Sequence, residues 1–222
     1  MPELDDILAT LKGMGSAERA DLARETIKAT SGVKFIPNPG PQTQAYFCPA
    51  DLLLYGGEGG GGKSSLAIGL ALTQHKRSLI VRRQYTDLSA LIEETIKMHG
   101  TRKGFNGAPP PKLRTVDGRL IEFGAVAHPG DEEHFQGSPH SLLAIDEVVQ
   151  TLESQARFLM GWVRTTDPEE RCRVLFGSNP PTKAQGEWII GMFRPWLDLT
   201  HPNPAKAGEL RWYVTDPDGK DM

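Results

Sequence analysis

The sequence contains little cysteine. Cys48 and Cys172 are its only two cysteines, and they lie far apart without a CxxC or CxxH spacing. A disulfide framework or a zinc site needs more closely spaced ligands, so this pattern excludes both. We therefore expect two free, buried thiols in a protein of a reducing compartment.

Long hydrophobic runs are also missing. No stretch approaches the roughly 18 apolar residues of a membrane-spanning helix. The N-terminal stretch MPELDDILATLKGM has acidic residues near its start and no continuous apolar segment, which excludes a secretory signal peptide. We expect no membrane partner and a cytosolic location.

Neither sign of charge is in large excess. The chain has 25 lysines and arginines against 28 aspartates and glutamates, which gives a formal net charge of -3. A general attraction to nucleic acid is therefore excluded, and any contact with DNA or RNA must be local. With 222 residues, the chain is long enough to bury one large core.

Glycine, in contrast, is concentrated in one place, because six of the seven residues at 56–62 are glycines. They lead into Lys63 and Ser64, so the stretch satisfies the pattern G-x-x-x-x-G-K-[ST] of a phosphate-binding loop. An apolar run at 52–55 precedes the loop and a helical pattern at 64–75 follows it. A flexible linker is the alternative, but a linker is not framed by a strand and a helix.

Each part of this loop has a physical role in holding a nucleotide. Glycines let consecutive backbone N–H groups point toward a phosphate, and the following helix adds the positive end of its dipole. Lys63 should reach the β and γ phosphates, and the Ser64 hydroxyl should ligate Mg²⁺. The predicted nucleotide-binding residues of the loop are Gly57, Gly59, Gly60, Gly61, Gly62, Lys63, Ser64 and Ser65.

A second apolar run, LLAI, ends in Asp146 and Glu147. Ligands of open α/β sheets bind at the carboxyl ends of the strands, which is where these two carboxylates would lie. Asp146 suits the Mg²⁺ carboxylate, and Glu147 suits the base that orients an attacking water. The alternative is that both acids cap the next helix.

A third apolar run, RVLFG, ends in Ser178 and Asn179 and is stopped by two prolines. These side chains would lie beside the γ-phosphate, where they could sense its loss and pass a shift to the next segment. Ser-Asn-Pro is also an ordinary strand-ending turn, so this signal depends on its order after the other two motifs.

Short apolar runs alternate with helical patterns, which predicts an α/β fold with a mainly parallel sheet flanked by helices. The predicted strands are 52–55, 78–83, 141–148 and 173–180, and the predicted helices are 64–75, 87–98 and 151–164. A β-hairpin insertion with a two-residue turn at Asp117 and Gly118 is predicted for residues 113–125, LRTVDGRLIEFGA. One last strand is predicted for the apolar stretch LRWYV at 210–214.

Two further regions flank these elements. Residues 3–30 predict two short helices, the second from Ser16 to Ala29, as a packed flap or a partner-docking arm. Residues 34–51 hold four prolines, which predicts an extended connector without a helix. The predicted organisation is an N-terminal arm and connector at 1–40, a phosphate-loop ATPase core at 41–200 and a C-terminal segment at 201–222.

In this order, the motifs resemble a known family, the large terminase subunit of tailed bacteriophages, and specifically its N-terminal ATPase domain. The likeness is carried by LLLYGGEGGGGKSS, LIVRRQYTDL, FQGSPHSLLAIDE, VRTTDPEERCRVLFGSNPPT, GEWIIGMFRPW and GELRWYV. It implies a P-loop NTPase of the additional-strand, catalytic-glutamate class that hydrolyses ATP with Mg²⁺ and drives double-stranded DNA into a capsid.

The resemblance also implies partners and further residue roles. The partners would be double-stranded DNA, a portal protein, a small terminase subunit and further copies in a ring, in the host cytoplasm rather than in the mature virion. Gln42 resembles the family's adenine-reading glutamine, with Gln44 as the alternative, and Ser178-Asn179 would be the coupling motif. The family continues into a nuclease, whereas this sequence stops at Met222, so we expect no DNA cleavage.

The arginine that stabilises transition-state charge is left open. Many family members carry an arginine within the phosphate loop, where this sequence has Glu58. Some also have a basic residue next to the position of Gly137, where this sequence has the uncharged Gln136 and Ser138. An arginine near a strand end is more often a salt-bridged surface group. The candidates are Arg82, Arg83 and Arg164.

A local basic feature consists of Arg102, Lys103, Lys112, Arg114 and Arg119. It could follow DNA phosphates without recognising sequence, or it could be an ordinary solvated hairpin face. Two other functions stay open beside the motor. One is a RecA- or helicase-like ATPase stimulated mainly by single strands, and the other is a nucleotide-gated assembly module.

Overall fold

The computed structural model describes residues 4–15, 18–19, 22, 32–57, 59–180 and 184–212. The chain divides into two compact units, Met1–Val33 and Lys34–Met222. In the first unit, helix α1 spans Leu4–Gly13, in agreement with the first predicted helix. Most of the predicted second helix, from Ser16 to Ala29, lies outside the described residues, as does Glu58.

Seven strands of the described residues form one sheet in the second unit. They are β1 (Leu52–Gly56), β2 (Arg77–Arg82), β3 (Phe105–Asn106), β4 (Lys112–Arg114), β5 (Leu120–Ala125), β6 (Leu142–Ile145) and β7 (Arg173–Ser178). The spatial order is β1-β7-β6-β2-β5-β4-β3, and all pairs from β1 to β5 are parallel. Strand β7 thus lies between the strand before the glycine-rich loop and the strand before the acidic pair. This confirms the predicted mainly parallel fold with an additional strand.

Helices cover both faces of the sheet. They are α2 (Pro41–Phe47), α3 (Lys63–Thr73), α4 (Leu88–His99), α5 (Glu153–Met160), α6 (Trp188–Met192) and α7 (Arg194–Leu197). Successive residues of a strand point to opposite faces, so Ile80 packs in the cluster under α3 and α4, whereas Leu79 and Val81 pack under α5 and α6. Burial on both faces explains why these strands are continuous apolar runs.

Helix α3, which follows the glycine-rich loop, is the most deeply buried helix around the sheet. Every residue from Leu66 to Leu72 is buried, so the helix is apolar on all sides instead of along one stripe. Gly69 lets the ring of Phe35 approach, because a Cβ there would lie 2.2 Å from that ring. The start of α3 therefore has a rigid position at the end of the sheet.

The predicted extended connector at 34–51 is wrong at its centre, where α2 runs from Pro41 to Phe47. Pro41 lies in the first helical turn. Backbone N–H groups in that turn have no acceptor within the helix, so the missing N–H of a proline costs no hydrogen bond there. At the other end, the guanidinium of the buried Arg173 donates hydrogen bonds to the backbone oxygens of Ala45 and Tyr46. This cation stabilises the negative end of the helix from a position far along the chain.

The predicted hairpin is present as the antiparallel pair β4 and β5, but its turn has three residues instead of two. The N–H of Gly118 donates to the oxygen of Thr115 at 3.1 Å, and the N–H of Thr115 donates to the oxygen of Arg119 at 3.0 Å. Val116 and Asp117 therefore form a tight turn, and Gly118 follows with a φ of 86°. This is the common three-residue hairpin loop.

Other predictions fall on the edges of elements. The last predicted strand is irregular at 210–212, and its final two residues lie outside the described ones. Phe176 packs edge to face on Trp188 and on Phe193, and Trp196 packs on Phe193, so these aromatics form part of the core under α5 and α6. Both cysteines are free, as predicted, but they are only half-buried, whereas full burial was expected.

Within the described ranges, no helix is long and apolar enough to span a membrane.

His75, just after α3, is a buried imidazole with only 2% of its surface exposed. Within the described part of the chain, neither ring nitrogen has a hydrogen-bond partner. Burial, together with the charge of Arg173, lowers the pKa of His75 from 6.5 to about 4. Between pH 6.5 and about pH 4, where an exposed histidine takes up a proton, His75 of the folded protein therefore stays neutral.

We predict that His75 makes the fold sensitive to mild acid. Below pH 6.5 the unfolded chain binds a proton at His75 that the folded chain binds only below pH 4, so stability falls as pH falls through this window. The free energy of unfolding should drop by about 2 kcal/mol between pH 7 and pH 5 from this residue. Urea denaturation of the wild type and of His75→Leu at both pH values measures it. An equal pH dependence in both proteins would contradict the assignment.

Candidate functional site

A cavity of about 310 Å³ opens at the carboxyl edge of the sheet, beyond the ends of β1, β6 and β7. Its walls come from the glycine-rich loop, the start of α3, helix α4 and the residues that follow β6 and β7. The lining residues are Gly59, Gly60, Gly61, Gly62, Lys63, Ser64, Ser65, Glu94, Asp146, Glu147 and Asn179. The three predicted motifs therefore meet at one place.

The loop between β1 and α3 curls around the start of the helix. The Nζ of Lys63 donates to the oxygen of Gly57 at 2.9 Å, and the hydroxyl of Tyr55 donates to the oxygen of Gly61 at 3.1 Å. Gly62 precedes the helix with a φ of 71°, and no described side chain caps its first turn. Free N–H groups at a helix start favour an anion, so this end of the cavity suits a phosphate.

Asp146 leaves the end of β6 almost fully buried, with 3% of its surface exposed. Its Oδ2 accepts a hydrogen bond from the Ser64 hydroxyl at 2.8 Å and from the Nη2 of Arg82 at 2.6 Å. Although burial disfavours the charge of Arg82, the hydrogen bond and charge of Asp146 raise the pKa of Arg82. Through these hydrogen bonds, Asp146 connects the start of α3 to the end of β2.

Glu147 has an unusual backbone. Its φ of 57° and ψ of 47° are left-handed, which costs free energy for a residue with a side chain. The side-chain amide of Gln150 donates to its Oε2 at 2.5 Å. This sharp bend directs the residue after Asp146 toward the cavity instead of continuing the strand.

The turn that follows Glu147 is held by residues from two other parts of the chain, the end of β2 and the segment after β7. The oxygen of Gln150 accepts a hydrogen bond from the Nη1 of Arg83 at 2.6 Å and another from the side chain of Gln185. The indole N–H of Trp188 donates to the oxygen of Thr151 at 3.1 Å. The segment after β7 is thus attached to the segment after the acidic pair.

Strand β7 passes between the start of helix α3 and the two acidic residues, Asp146 and Glu147. A Cβ on Gly177 would lie 3.1 Å from Oδ1 of Asp146 and 3.6 Å from Cβ of Lys63, so only a glycine allows this approach without a shift. Asn179 lines the cavity, whereas Ser178 is buried and its hydroxyl donates to the oxygen of Asn179. Of the predicted coupling pair, Asn179 faces the cavity.

Gln42 lies behind the loop and does not line the cavity. Only 3% of it is exposed, and its Nε2 donates to the oxygen of Gly62 at 2.9 Å while its Oε1 accepts from the N–H of Asn38 at 2.6 Å. Gln44 is exposed on the same helix, α2. Adenine recognition by either glutamine stays a prediction.

The structure separates the three candidate arginines. Arg82 contacts Asp146, and Arg83 contacts the turn after Glu147. Arg164 stacks on Trp162 at 4.6 Å and lies beside the start of β6, about 20 Å of extended chain from Asp146. Arg164 therefore does not line the cavity, and a catalytic role of Arg164 stays a prediction.

Glu94, on α4, is the cavity residue that the sequence analysis missed. Its Oε1 accepts a hydrogen bond from the Ser65 hydroxyl at 3.0 Å. It follows the buried Leu91 by three residues, so a charged residue at this helical spacing on the apolar side of α4 was the available signal.

The local basic feature is largely neutralised within the chain. Arg102 pairs with Glu93 at 3.1 Å, Lys112 with Glu122 at 3.1 Å and Arg119 with Asp117 at 2.9 Å. Hydrogen bonds from His140 and Lys112 lower the pKa of the buried Glu122, although burial alone would raise it. These pairs favour the alternative of an ordinary hairpin face, and contact with DNA stays a prediction.

No protein-family profile and no curated protein matches the sequence. Among solved structures, the fold is similar to the HK97 bacteriophage large terminase, with 13% identity, a TM-score of 0.51 and coverage of 71% of this chain and 36% of that chain. The large terminase ATPase domain of Thermus phage P74-26 shows 14% identity and a TM-score of 0.51, over 80% of this chain and 78% of that chain. The large terminase of the thermophilic bacteriophage D6E in complex with ADP shows 13% identity and a TM-score of 0.44, over 63% and 38%.

The chain thus spans well under half of the HK97 and D6E proteins and about four fifths of the P74-26 domain. At sequence identities of 13–14%, the similarity to these structures establishes the fold alone. The resemblance to large terminase ATPase domains is confirmed at that level.

We predict that Gly62→Ala destabilises the protein. A side chain there must adopt the left-handed backbone and would place its Cβ 2.3 Å from Nε2 of Gln42. The backbone alone costs about 1–2 kcal/mol in the free energy of unfolding. Gly59→Ala is the matched control, because its Cβ would meet open space and its φ is not in the left-handed region. Equal thermal stability of the two variants would contradict the prediction.

Proposed function

We propose that the chain is the ATPase motor domain of a viral large terminase, which hydrolyses ATP with Mg²⁺ to drive double-stranded DNA into a capsid. One observation carries the proposal: Lys63, Ser64, Asp146 and Glu147 line a single cavity at the carboxyl edge of a parallel sheet. The fold likeness to large terminase ATPase domains supports this choice among ATPases.

The residues present fit a nucleotide polyphosphate. Four glycines without side chains, Gly59 to Gly62, line the cavity next to the start of α3, which no side chain of the described residues caps. Lys63 begins that helix and is within reach of any phosphate in the loop. The volume of about 310 Å³ lies at the lower end of the range for ligand sites.

The chemistry of the donors fits Mg²⁺. Ser64 Oγ and Asp146 Oδ2 are hard oxygen ligands that lie 2.8 Å apart. In the described ranges, no cluster of three or more His, Cys, Asp or Glu side chains could hold a metal by itself, but Mg²⁺ at nucleotide sites needs only one or two protein oxygens beside the phosphates. When bound, Mg²⁺ would neutralise charge on the phosphate oxygens.

Glu147 is the proposed general base. Its carboxylate would accept a proton from the water that attacks the γ-phosphorus, while the bond between that phosphorus and the β–γ bridging oxygen breaks. Asn179, across the cavity, could donate a hydrogen bond to the γ-phosphate and respond to its departure. The attachment of residues 185 and 188 to the turn after Glu147 supports a connection between the two events.

The proposed partners follow from the same likeness. They are double-stranded DNA, a portal protein, a small terminase subunit and further copies of the chain in a ring, in the host cytoplasm. The position of Arg164, at the opposite end of β6 from the cavity, is compatible with a role across a subunit boundary.

We predict that Glu147→Gln removes hydrolysis but not binding. Loss of the general base should lower kcat by about 10²- to 10⁴-fold, while the affinity for ATP stays within a few-fold because no phosphate contact is lost. Phosphate release and calorimetric ATP titration measure the two quantities. Glu169→Gln, at an exposed glutamate in the loop before β7, is the control. Undiminished turnover in Glu147→Gln would contradict the proposed role.

We also predict that duplex DNA stimulates the ATPase more than single-stranded DNA does, because a packaging motor must engage a double helix. Steady-state phosphate release with each DNA at equal nucleotide concentration measures this. Preferential stimulation by single strands would support the helicase-like alternative. Tight ATP binding without turnover under any condition would support the assembly module.

A further inference from the structure

Arg82 is a cation placed where the proposed Mg²⁺ ligands meet. Its Nε and Nη2 donate to Oδ2 of Asp146 at 3.0 and 2.6 Å, and its Nη2 lies 3.4 Å from Oγ of Ser64. Its Nη1 donates to the backbone oxygen of Asp87 at 3.2 Å. The guanidinium therefore touches both side chains that would hold the metal.

The surroundings explain why a cation is needed there. The side chains of Arg82 and Asp146 are only 18% and 3% exposed. A carboxylate so deeply buried would be very unfavourable without a compensating charge. Arg82 supplies that charge.

A divalent cation on the same oxygens would lie beside the guanidinium, and two positive charges at such a distance repel each other strongly in a partly buried site. The Nη1 of Arg82 also has a partner outside this pair, the backbone oxygen of Asp87, and 18% of the Arg82 side chain is exposed. Arg82 can therefore leave Asp146 while it keeps a hydrogen bond and access to solvent.

We propose that Arg82 is a positioning residue that occupies the cation's place in the nucleotide-free protein and gives it up when Mg²⁺ and nucleotide bind. Arg82 thereby sets the Mg²⁺ concentration at which the site loads. It also prevents Mg²⁺ alone from binding, because the phosphates are needed to outweigh its displacement. This inference rests on the proposed function, namely a Mg²⁺–nucleotide site.

The experiment titrates ADP by calorimetry at a series of Mg²⁺ concentrations and records thermal unfolding with and without Mg²⁺ alone. The proteins are the wild type, Arg82→Gln and Arg82→Lys. Arg77→Gln is the matched control, because Arg77 is exposed at the opposite end of the same strand, β2.

In Arg82→Gln, the Mg²⁺ concentration for half-maximal ADP binding should fall by about tenfold, which corresponds to about 1.4 kcal/mol. Without Mg²⁺ its Tm should fall by roughly 5–10 °C, because Asp146 loses its partner. Mg²⁺ alone should restore part of that Tm, whereas it should leave the wild type and Arg77→Gln unchanged. Arg82→Lys keeps the charge but not the paired contact, so its Mg²⁺ requirement should lie between the two.

An unchanged or higher Mg²⁺ requirement in Arg82→Gln would overturn the inference, because Arg82 would then help to hold the metal ligands. If Arg82→Gln does not fold, an unchanged or higher requirement in Arg82→Lys overturns it equally. If the wild type binds no ADP at any Mg²⁺ concentration, the proposed function itself fails and the inference fails with it.

Discussion

The arrangement of the cavity depends on the buried carboxylate of Asp146. It leaves the end of β6 and is contacted by Ser64 from α3 and by Arg82 from β2, so one charge joins three elements. Since an uncompensated charge at this depth would be very costly, the three elements are held together as long as Arg82 is the partner of Asp146. Together with the buried helix α3, this one side chain determines the position of the glycine-rich loop relative to the sheet.

A second connection joins the two segments that leave the sheet beside this carboxylate. The turn after Glu147 is bound through backbone oxygens to Gln185 and Trp188, which follow β7. Trp188 in turn packs on Phe176 of that strand. The turn after Glu147 and the segment after β7 are therefore joined by hydrogen bonds and by aromatic packing, beside a residue, Glu147, whose own backbone is left-handed.

Local motifs were sufficient to predict the loop and the acidic pair, because strand, glycines and Lys-Ser are adjacent in the chain. Contacts between distant residues were not predictable in this way. Arg82 and Arg83 are indistinguishable until the end of β2 is known, because neighbouring strand residues point to opposite sides. Helix α2 is not predictable from its own residues, because the guanidinium that binds its last oxygens belongs to Arg173, far along the chain, and four prolines in and around it favour an extended backbone.

Strand β7 separates the loop strand from the acidic strand by two inter-strand spacings, about 10 Å. Backbone hydrogen bonds determine this width, and at Gly177 no side chain adds to it. The distance across the cavity is therefore largely independent of which apolar residues fill the strands. Evolution can replace most of the core while the width of the cavity stays the same, which explains how a fold of this kind persists where sequence similarity has almost disappeared.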